Sequence, residues 1–273
     1  MRSASRAAAK VLREVKRPAL ERQESVDALT ALASELYAIA DLLVAQPRLR
    51  RTVGHSSTPV EGRVQLIEGL LRGRTGDSAL EITVAAVRAR WSSPWDLTDA
   101  LEGAGDDALF AAAERNGELQ IVEDELFWFE RILNSESDLL TLLDEPAVDA
   151  SRRIELLDRV IGGKVHPVTN ELLRHGVVSE RKRSITLTID DLLDEAAARR
   201  SESTARVLSA IELDGPQLTR LTSALSNLYG RQMTVRTATD ATVRGGLVIR
   251  VGNEVIDGSV AERLVSARAA VAR

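Results

Sequence analysis

The chain has 273 residues, of which 44% are hydrophobic and only 3% aromatic, and it contains no cysteine. Its length suggests about two domains of roughly 150 residues each, and a composition rich in alanine and leucine favours packed helices over a large sheet core. The lack of cysteine excludes disulfides and thiolate metal sites and favours a cytosolic location, while the net charge of −5 argues against broad nucleic-acid affinity.

Charge is distributed unevenly along the chain. The first 25 residues carry seven basic and three acidic side chains, whereas residues 106–150 carry thirteen acidic and two basic ones. This acidic block is either a docking surface for a basic or helical partner or a solvated face that keeps the protein soluble. The sequence has no run of about 18 apolar residues and no signal-peptide pattern, so any membrane association is expected to come through partners or a surface.

The first predicted element is a helix over Met1 to Arg22. Its thin apolar stripe contains Val11, Leu12 and Val15 and is interrupted at Pro18. A basic amphipathic segment of this kind either touches anionic lipid or packs on other helices. The stripe is too weak to anchor the chain alone, so helix packing is the expected use.

An internal repeat follows the first helix. Residues 26–97 align with residues 116–187 at a constant offset of 90 without a gap, and eleven of the 72 aligned pairs are identical. Glu35-Leu36-Tyr37 falls on Glu125-Leu126-Phe127. Because the apolar register stays in phase, we predict that the first hundred or so residues are a degenerate copy of the helical bundle that follows. The alternative is that any two leucine-rich amphipathic bundles align this well.

The second copy is predicted to be a compact antiparallel bundle of short helices with brief connections. Leu119, Val122, Leu126 and Phe129 lie on one stripe at spacings of three and four, so they are expected in the core. The predicted helices are Ala108 to Arg115, Leu119 to Leu133, Ser137 to Leu143, Ser151 to Ile161, Pro167 to Ser179 and Ser184 to Arg200.

Four aromatic side chains each have two possible uses. Phe127 and Trp128 lie off the core stripe of their helix, so they either pack on a second neighbour or form an exposed contact. Trp91 and Trp95, in the sequence RWSSPW, are candidates for exposed anchors of a partner, although buried packing is the favoured use.

From Thr204 onward the pattern predicts a small α+β unit with at least three strands packed on helices. Alternating apolar and polar residues predict the strands, and leucines on one face predict the helix. The predicted elements are a strand over Thr204 to Leu213, a helix over Leu218 to Gly230, a strand over Met233 to Thr237, and a strand, turn, strand and helix over Arg244 to Arg263.

No catalytic or metal-binding motif is found in the sequence. His55, His166 and His175 are scattered, and none has a second ligand at the spacing of a helical metal site. No phosphate-binding loop, nucleophile elbow or dinucleotide fingerprint occurs, and the acidic run from Asp190 to Glu195 lacks the pattern of a calcium loop. No catalytic residue, metal or cofactor is therefore predicted.

The stretch RGGLVIRVGNEVIDGSVAERL near the C-terminus carries a family resemblance. It resembles the C-terminal signature of the δ subunit of F-type ATP synthases, whose mitochondrial counterpart is the oligomycin sensitivity-conferring protein. The similarity extends upstream to Ala108, and there are two departures at turn positions, Asn253 in place of aspartate and Arg244 in place of an apolar residue. The signature residues are Gly245, Gly246, Gly252, Asp257, Gly258 and Ser259.

The resemblance implies a non-catalytic peripheral-stalk subunit, or stator, of a proton-translocating F-type ATP synthase, at the cytoplasmic face of the bacterial plasma membrane. In that family the N-terminal bundle binds the N-terminal helices of α subunits at the crown of the F1 hexamer. The C-terminal domain binds b subunits, so the stalk resists rotational torque. Neither a cofactor nor a nucleic-acid partner is implied. The family's groove between the first and fifth bundle helices implies partner contacts at Leu109, Ala112, Leu172, His175 and Val178.

The expected fold class is α+β and predominantly α, with antiparallel helical bundles, duplicated by hypothesis, followed by a small α+β domain. The predicted boundaries give an additional helical domain at 1–105, a δ-type six-helix bundle at 106–203 and the C-terminal domain at 204–273. The competing interpretation is a free helical adaptor or an RNA-binding bundle of the antitermination type. The acid excess and the C-terminal signature both argue against it.

Overall fold

The computed structural model describes residues 3–145, 147–179, 184–202, 204–229, 233–240, 243, 245–251 and 254–258. Helices dominate these residues, and a four-stranded sheet lies near the C-terminus. The predicted class, α+β and predominantly α, is therefore confirmed. The chain divides into two compact units, Met1–Leu193 and Asp194–Arg273.

The helices have the following bounds: α1 Ser3–Glu21, α2 Val26–Ala45, α3 Pro47–Gly54, α4 Val60–Leu71, α5 Asp77–Arg88, α6 Pro94–Asn116, α7 Leu119–Ser135, α8 Ser137–Asp144, α9 Ala150–Ile161, α10 Pro167–Val178, α11 Ile185–Glu202 and α12 Gly215–Tyr229. The strands are β1 Thr204–Ser209, β2 Thr234–Thr239, β3 Leu247–Val251 and β4 Glu254–Asp257.

Local chemistry sets several of these helix ends. The side chain of Ser25 accepts a hydrogen bond from the amide of Ala28 at the start of α2, and Ser93 caps α6 in the same way, with Pro94 in its first turn. At the other end of α6, Gly117 has a left-handed conformation and its amide bonds back to the last turn. These caps satisfy backbone groups that a helix end leaves unpaired.

Helix α6 differs most from its prediction, which had placed a helix only at Ala108 to Arg115. It begins at Pro94 because Leu97, Leu101 and Ala104 continue the buried face of its later turns. Alanine and leucine have high helix propensity, so the internal glycines do not end the helix. The result is one helix of 23 residues. It packs on α2, α3 and α5, which precede it in the chain, and on α7 and α10, which follow it.

Two further features of the N-terminal region differ from the sequence patterns. Helix α1 continues through Pro18, because Ala19 and Leu20 beyond it are buried and packing holds the last turn. Helix α2 is long and apolar enough to cross a membrane by length and composition. Its eight buried residues, however, face the interior of the bundle, as expected for the core helix of a packed domain.

The helix bounds repeat along the chain. Helices α3, α4 and α5 become the bounds of α8, α9 and α10 when 90 is added to each residue number. We call α2–α5 the upstream set and α7–α10 the downstream set. Core residues repeat with the bounds: Leu36, Ile67 and Val87 are fully buried, as are Leu126, Leu157 and Val177.

The duplication hypothesis and the predicted domain boundaries stay predictions. The boundary at 105/106 falls inside α6, and residue 203, at the other boundary, lies outside the described residues. The repeated bounds and buried positions support the hypothesis that the two sets derive from one helical unit.

The sheet has the strand order β2-β1-β3-β4. Strand β1 pairs parallel with β2 and antiparallel with β3, and β3 pairs antiparallel with β4. The prediction extended the first strand to Leu213, which is wrong. It ends at Ser209, whose carbonyl accepts the amide of Asp240 just beyond β2, and Ile211 is 70% exposed.

One face of the sheet forms the core of the C-terminal unit. Ala205 and Val207 of β1, Leu225 of α12, Met233 and Val251 are buried together. Gly245 and Gly246 have φ values of 78° and 82°, a left-handed backbone conformation that favours glycine. The turn at Gly252-Asn253 and the helix predicted from Ser259 lie outside the described residues.

Candidate partner-binding site

Helix α2 lies along α6 and contacts α10 through one aromatic side chain. The ring of Tyr37 stacks on the ring of His175, with centroids 3.6 Å apart and planes 14° from parallel. The Tyr37 hydroxyl donates a 2.6 Å hydrogen bond to a carboxylate oxygen of Asp106 on α6. Three helices that are distant in sequence are therefore joined by one side chain of the upstream set.

The close approach of Tyr37 depends on Gly105. A Cβ atom at this position of α6 would lie 2.7 Å from Cδ1 of the tyrosine ring, closer than real Cβ contacts allow. By contrast, a Cβ at Gly103, two residues earlier in the same helix, would meet nothing within 4 Å. The first of these glycines is therefore required by packing, whereas the second is not.

The five predicted groove residues are brought together along α6 and α10. Leu109 and Leu172 are 1% exposed and Ala112 is fully buried, while Val178 is half-buried at the end of α10. His175 is half-buried and is covered by Tyr37. The assignment of these residues to a partner-binding groove stays a prediction, and part of that face already contacts the chain's own α2.

A cluster of carboxyl groups lies where α2, α6 and α10 meet. Burial raises the pKa of Glu102 to about 7, and the neighbouring charges of Asp99, Asp106 and Asp41 raise it further, while a hydrogen bond from Ser179 opposes the shift. Burial likewise raises the pKa of Asp106 to about 6, against the effects of Tyr37 and Lys16. Both carboxyl groups therefore titrate closer to neutral pH than free acids do.

His175 titrates in the opposite sense. Burial lowers the pKa of its imidazole to about 4, and its Nε2 atom is buried without a hydrogen-bond partner among the described residues. The family resemblance implies a partner contact at this residue. In the structure it packs against Tyr37, a contact within the chain that the sequence did not indicate.

One polar contact repeats between the upstream and downstream sets. A carboxylate oxygen of Glu35 on α2 accepts the amide of Gly76 before α5 at 2.9 Å. At positions 90 higher, the carboxylate of Glu125 on α7 accepts the amide of His166 before α10 at 2.8 and 3.0 Å. Each carboxylate holds the start of the last helix of its set, so the aligned residues Glu35 and Glu125 make the same contact in the two sets.

The tryptophans before α6 have packing roles. Trp91 is 5% exposed and its indole nitrogen donates a 2.7 Å hydrogen bond to the carbonyl of Ala86. Trp95 is half-buried beneath the guanidinium of Arg50, which lies 3.4 Å from the ring centroid. The interpretation of these residues as packed aromatics, which the sequence favoured over exposed anchors, is therefore confirmed.

The aromatics of α7 are exposed instead. Phe127 is 53% exposed and Trp128 is 41% exposed, so the second of the two uses left open by the sequence, an exposed surface, applies to both.

The signature residues within the described part lie at the ends of the β3–β4 hairpin. Gly258 donates its amide to the carbonyl of Leu247 at 2.8 Å, which closes the sheet beyond Asp257. A Cβ at Gly258 would lie 3.2 Å from that same carbonyl oxygen. Gly252 and Ser259 lie outside the described residues.

Within the described residues no group of three or more metal-ligating side chains is present. His55 bonds to Ser57 in a loop, and His166 caps α10 while its ring contacts Glu118. These two histidines thus have local structural contacts.

The chain is similar in sequence to known subunits of ATP synthase. Residues 107–271 match the family described as the ATP synthase delta (OSCP) subunit. A delta subunit of ATP synthase from Streptomyces griseus is 41% identical over 98% of both chains, and one from Frankia casuarinae is 38% identical over 89% of this chain and 88% of its own length. A b-delta subunit from a Mycobacterium species is 42% identical over 98% of this chain, which spans 60% of that longer relative.

The chain therefore belongs to the ATP synthase delta (OSCP) subunit family and is a peripheral-stalk component of an F-type ATP synthase. It is a peripheral part of a membrane-bound complex. The Streptomyces relative covers the upstream set as well as the family region, so the additional N-terminal helices are shared with other delta subunits.

Proposed function

We propose that this chain is a non-catalytic stator subunit that links the crown of the F1 catalytic hexamer to the b subunits and resists the torque of rotation. Its place is the cytoplasmic face of the bacterial plasma membrane, where it binds the N-terminal helices of α subunits at one end and b subunits at the other. The observation that carries the proposal is the 41% identity to a delta subunit over 98% of both chains. The b-delta relative, whose name joins the two subunits, supports the contact with b.

The architecture of the first unit suits a part that transmits strain. Helix α6 packs on helices of both sets without an intervening linker. A stator held at two ends gains from multivalent attachment, because each modest contact raises the effective concentration of the other. A stiff connection between the contacts keeps that advantage under load.

For the α-subunit contact we propose the face of α6 and α10 that contains Leu109, Ala112, Leu172, His175 and Val178. Amphipathic helices bind in apolar grooves between helices, and the buried members of this group supply apolar surface. Tyr37 covers His175 and so occupies part of this face. The residue equivalent to His175 in the upstream set is Ala85 on α5, and no such ring covers it by sequence equivalence. Ala85 therefore marks a second place where an α-subunit helix can bind. Val11 supports an open face there, since it is 51% exposed whereas Leu101, its equivalent on α6, is fully buried.

Point variants of the full chain test the two faces, because a cut at residue 105 would divide α6. Val178→Asp and Ala85→Asp are each titrated with a peptide copied from the N-terminal helix of the α subunit, after circular dichroism has established that they fold. Weakened binding by Val178→Asp alone assigns the peptide to α6 and α10, and weakened binding by Ala85→Asp alone assigns it to α1 and α5. Unchanged binding in both variants would show that the groove assignment is wrong.

The stator role itself is tested by assembly. A complex prepared without this chain is expected to hydrolyse ATP but not to couple hydrolysis to proton pumping, and addition of the full chain restores coupling. Restored coupling by a complex that still lacks the chain would contradict the proposal.

A further inference from the structure

Helix α7 presents an apolar face to solvent. Ile121, Phe127 and Trp128 are 48%, 53% and 41% exposed, and they lie within an arc of about 120° around the helix axis. Single exposed apolar residues need no explanation. Two of the eight aromatic residues of the chain lie here, however, and exposed aromatics grouped on one face are typical of binding sites.

The internal repeat shows what the equivalent face does in the upstream set. The residues 90 positions earlier are Ala31, Tyr37 and Ala38 on α2. Tyr37 is only 8% exposed because it packs against α6 and stacks on His175 of α10. The side of α2 that corresponds to the α7 face is thus a helix-packing surface, and its aromatic residue makes the contact.

Residue size points the same way. Ala31 and Ala38, which flank the buried Tyr37, are small and exposed. At the same positions of α7 the chain has Ile121 and Trp128, which are large and exposed. Larger apolar side chains on the more exposed copy of a surface raise the cost of hydration unless another molecule covers them.

The charge of α7 indicates the kind of molecule. Glu123, Asp124 and Glu130 lie between or beside the apolar residues, and Arg131 is the one basic side chain of this helix. A partner with basic residues beside its own apolar stripe complements such a face. The opposite charges speed the association of the two surfaces and disfavour acidic competitors.

We propose that the α7 face, formed by Ile121, Phe127 and Trp128, binds an amphipathic helix with a basic polar side, supplied by another subunit of the complex. The inference rests on the proposed stator function. In the assembled complex an apolar side chain of the partner packs on Phe127, as His175 packs on Tyr37. Basic residues of the partner face Asp124 and Glu130.

The absence of cysteine makes a clean accessibility test possible. Asp124→Cys places a single thiol in the middle of the α7 face, and Ser34→Cys is its matched control, because Ser34 is the exposed equivalent on α2. Maleimide labelling rates are measured for each full-length variant alone and in the reconstituted ATP synthase. Assembly is expected to slow labelling at position 124 about tenfold or more, because a well-packed contact excludes water, and to slow it less at position 34.

A second pair of variants measures the contribution of the aromatics. The double variant Phe127→Ala, Trp128→Ala is expected to incorporate into the complex at least about tenfold more weakly, because it lacks both aromatic anchors. In the wild-type protein, higher salt concentration should weaken the same contact by screening its charges. Gln65→Ala, an exposed polar change on α4 and outside the α7 face, should have little effect. Circular dichroism checks that all variants fold.

The outcomes separate this inference from the stator function. Normal incorporation with unchanged labelling at position 124 overturns the α7 site and leaves the function intact, whereas failure of the wild-type chain to incorporate overturns both. Slow labelling at position 124 in the isolated chain would mean that another part of the chain, or a second copy, covers the face, which also overturns the proposal.

Discussion

Tyr37 and Gly105 are in direct contact across the packed surface of α2 and α6. The tyrosine ring occupies the space that a side chain at residue 105 would need, since a Cβ there would lie 2.7 Å from the ring atom Cδ1. Only a glycine allows the ring to reach both His175 and Asp106.

Gly105→Ala is expected to lower the free energy of unfolding by about 1–2 kcal/mol, because overpacking outweighs the gain in helix propensity. Gly103→Ala is the matched control and should stabilise the chain by up to about 1 kcal/mol, since its new methyl group meets nothing. Urea unfolding measures both. Equal stability of Gly105→Ala and Gly103→Ala would contradict the close contact between the Tyr37 ring and residue 105.

Removal of the Glu125 carboxylate should destabilise the start of α10. It accepts the amide of His166 and a 2.5 Å hydrogen bond from the hydroxyl of Thr169, both of which Glu125→Ala leaves without that acceptor. We expect a loss of about 1–3 kcal/mol, with faster hydrogen exchange at the His166 amide. Glu155→Ala, at an exposed position of α9, should change stability by less than about 0.5 kcal/mol. Equal effects of the two substitutions would contradict the assignment.

The pH dependence of stability should change when Glu102 is replaced. Burial raises the pKa of Glu102 from 4.5 to about 7, so the folded state holds this proton more tightly than the unfolded chain does. Stability from this group is complete below pH 4.5, falls as the pH rises to about 7, and is constant above that.

Glu102→Gln should therefore be more stable than the wild type by about 2 kcal/mol at alkaline pH and similar to it in acid, where the carboxyl is protonated. The gain is smaller than the full pKa shift implies, because the side chain is half-buried and water screens its charge. Thermal unfolding at the two pH values measures the difference. A constant difference across pH would show that Glu102 does not titrate in this range.

His175 should produce the opposite dependence. Its pKa is lowered from 6.5 to about 4 by burial, so stability from the neutral ring is complete above pH 6.5 and is lost as the pH falls to about 4. His175→Phe keeps a ring against Tyr37 and cannot be protonated. We expect it to exceed the wild type by about 1 kcal/mol in acid, with a smaller difference at alkaline pH. Unfolding curves that stayed parallel across this range would contradict the burial of His175.

The sequence predicted best where local patterns are strong. The starts of α7, α8 and α10 at Leu119, Ser137 and Pro167 are confirmed, because apolar spacing and a proline in the first turn act over a few residues. The paired strands β3 and β4 also occur where the C-terminal stretch predicted them.

What the sequence could not supply depends on distant parts of the chain. Gly103 and Gly105 weaken a helix locally, and the packing of α2 on α6 adds to the helix propensity of the surrounding alanines and leucines in carrying the helix through them. The stacking of Tyr37 on His175 joins residues 138 positions apart, and no local pattern encodes it. The alignment of Tyr37 with Phe127 was a usable signal, since it places an aromatic ring at the same position of α2 and α7.

Helix α6 also constrains how this chain can change length. Each residue inserted into an α-helix rotates everything beyond it by about 100° and advances it by about 1.5 Å. Because α6 packs on both α2 and α10, one residue added in its middle would turn Asp106 and Leu109 away from their neighbours. Insertions are therefore expected in the loops of either set but not in α6, because the length of α6 fixes how the residues that contact the two sets are rotated relative to each other.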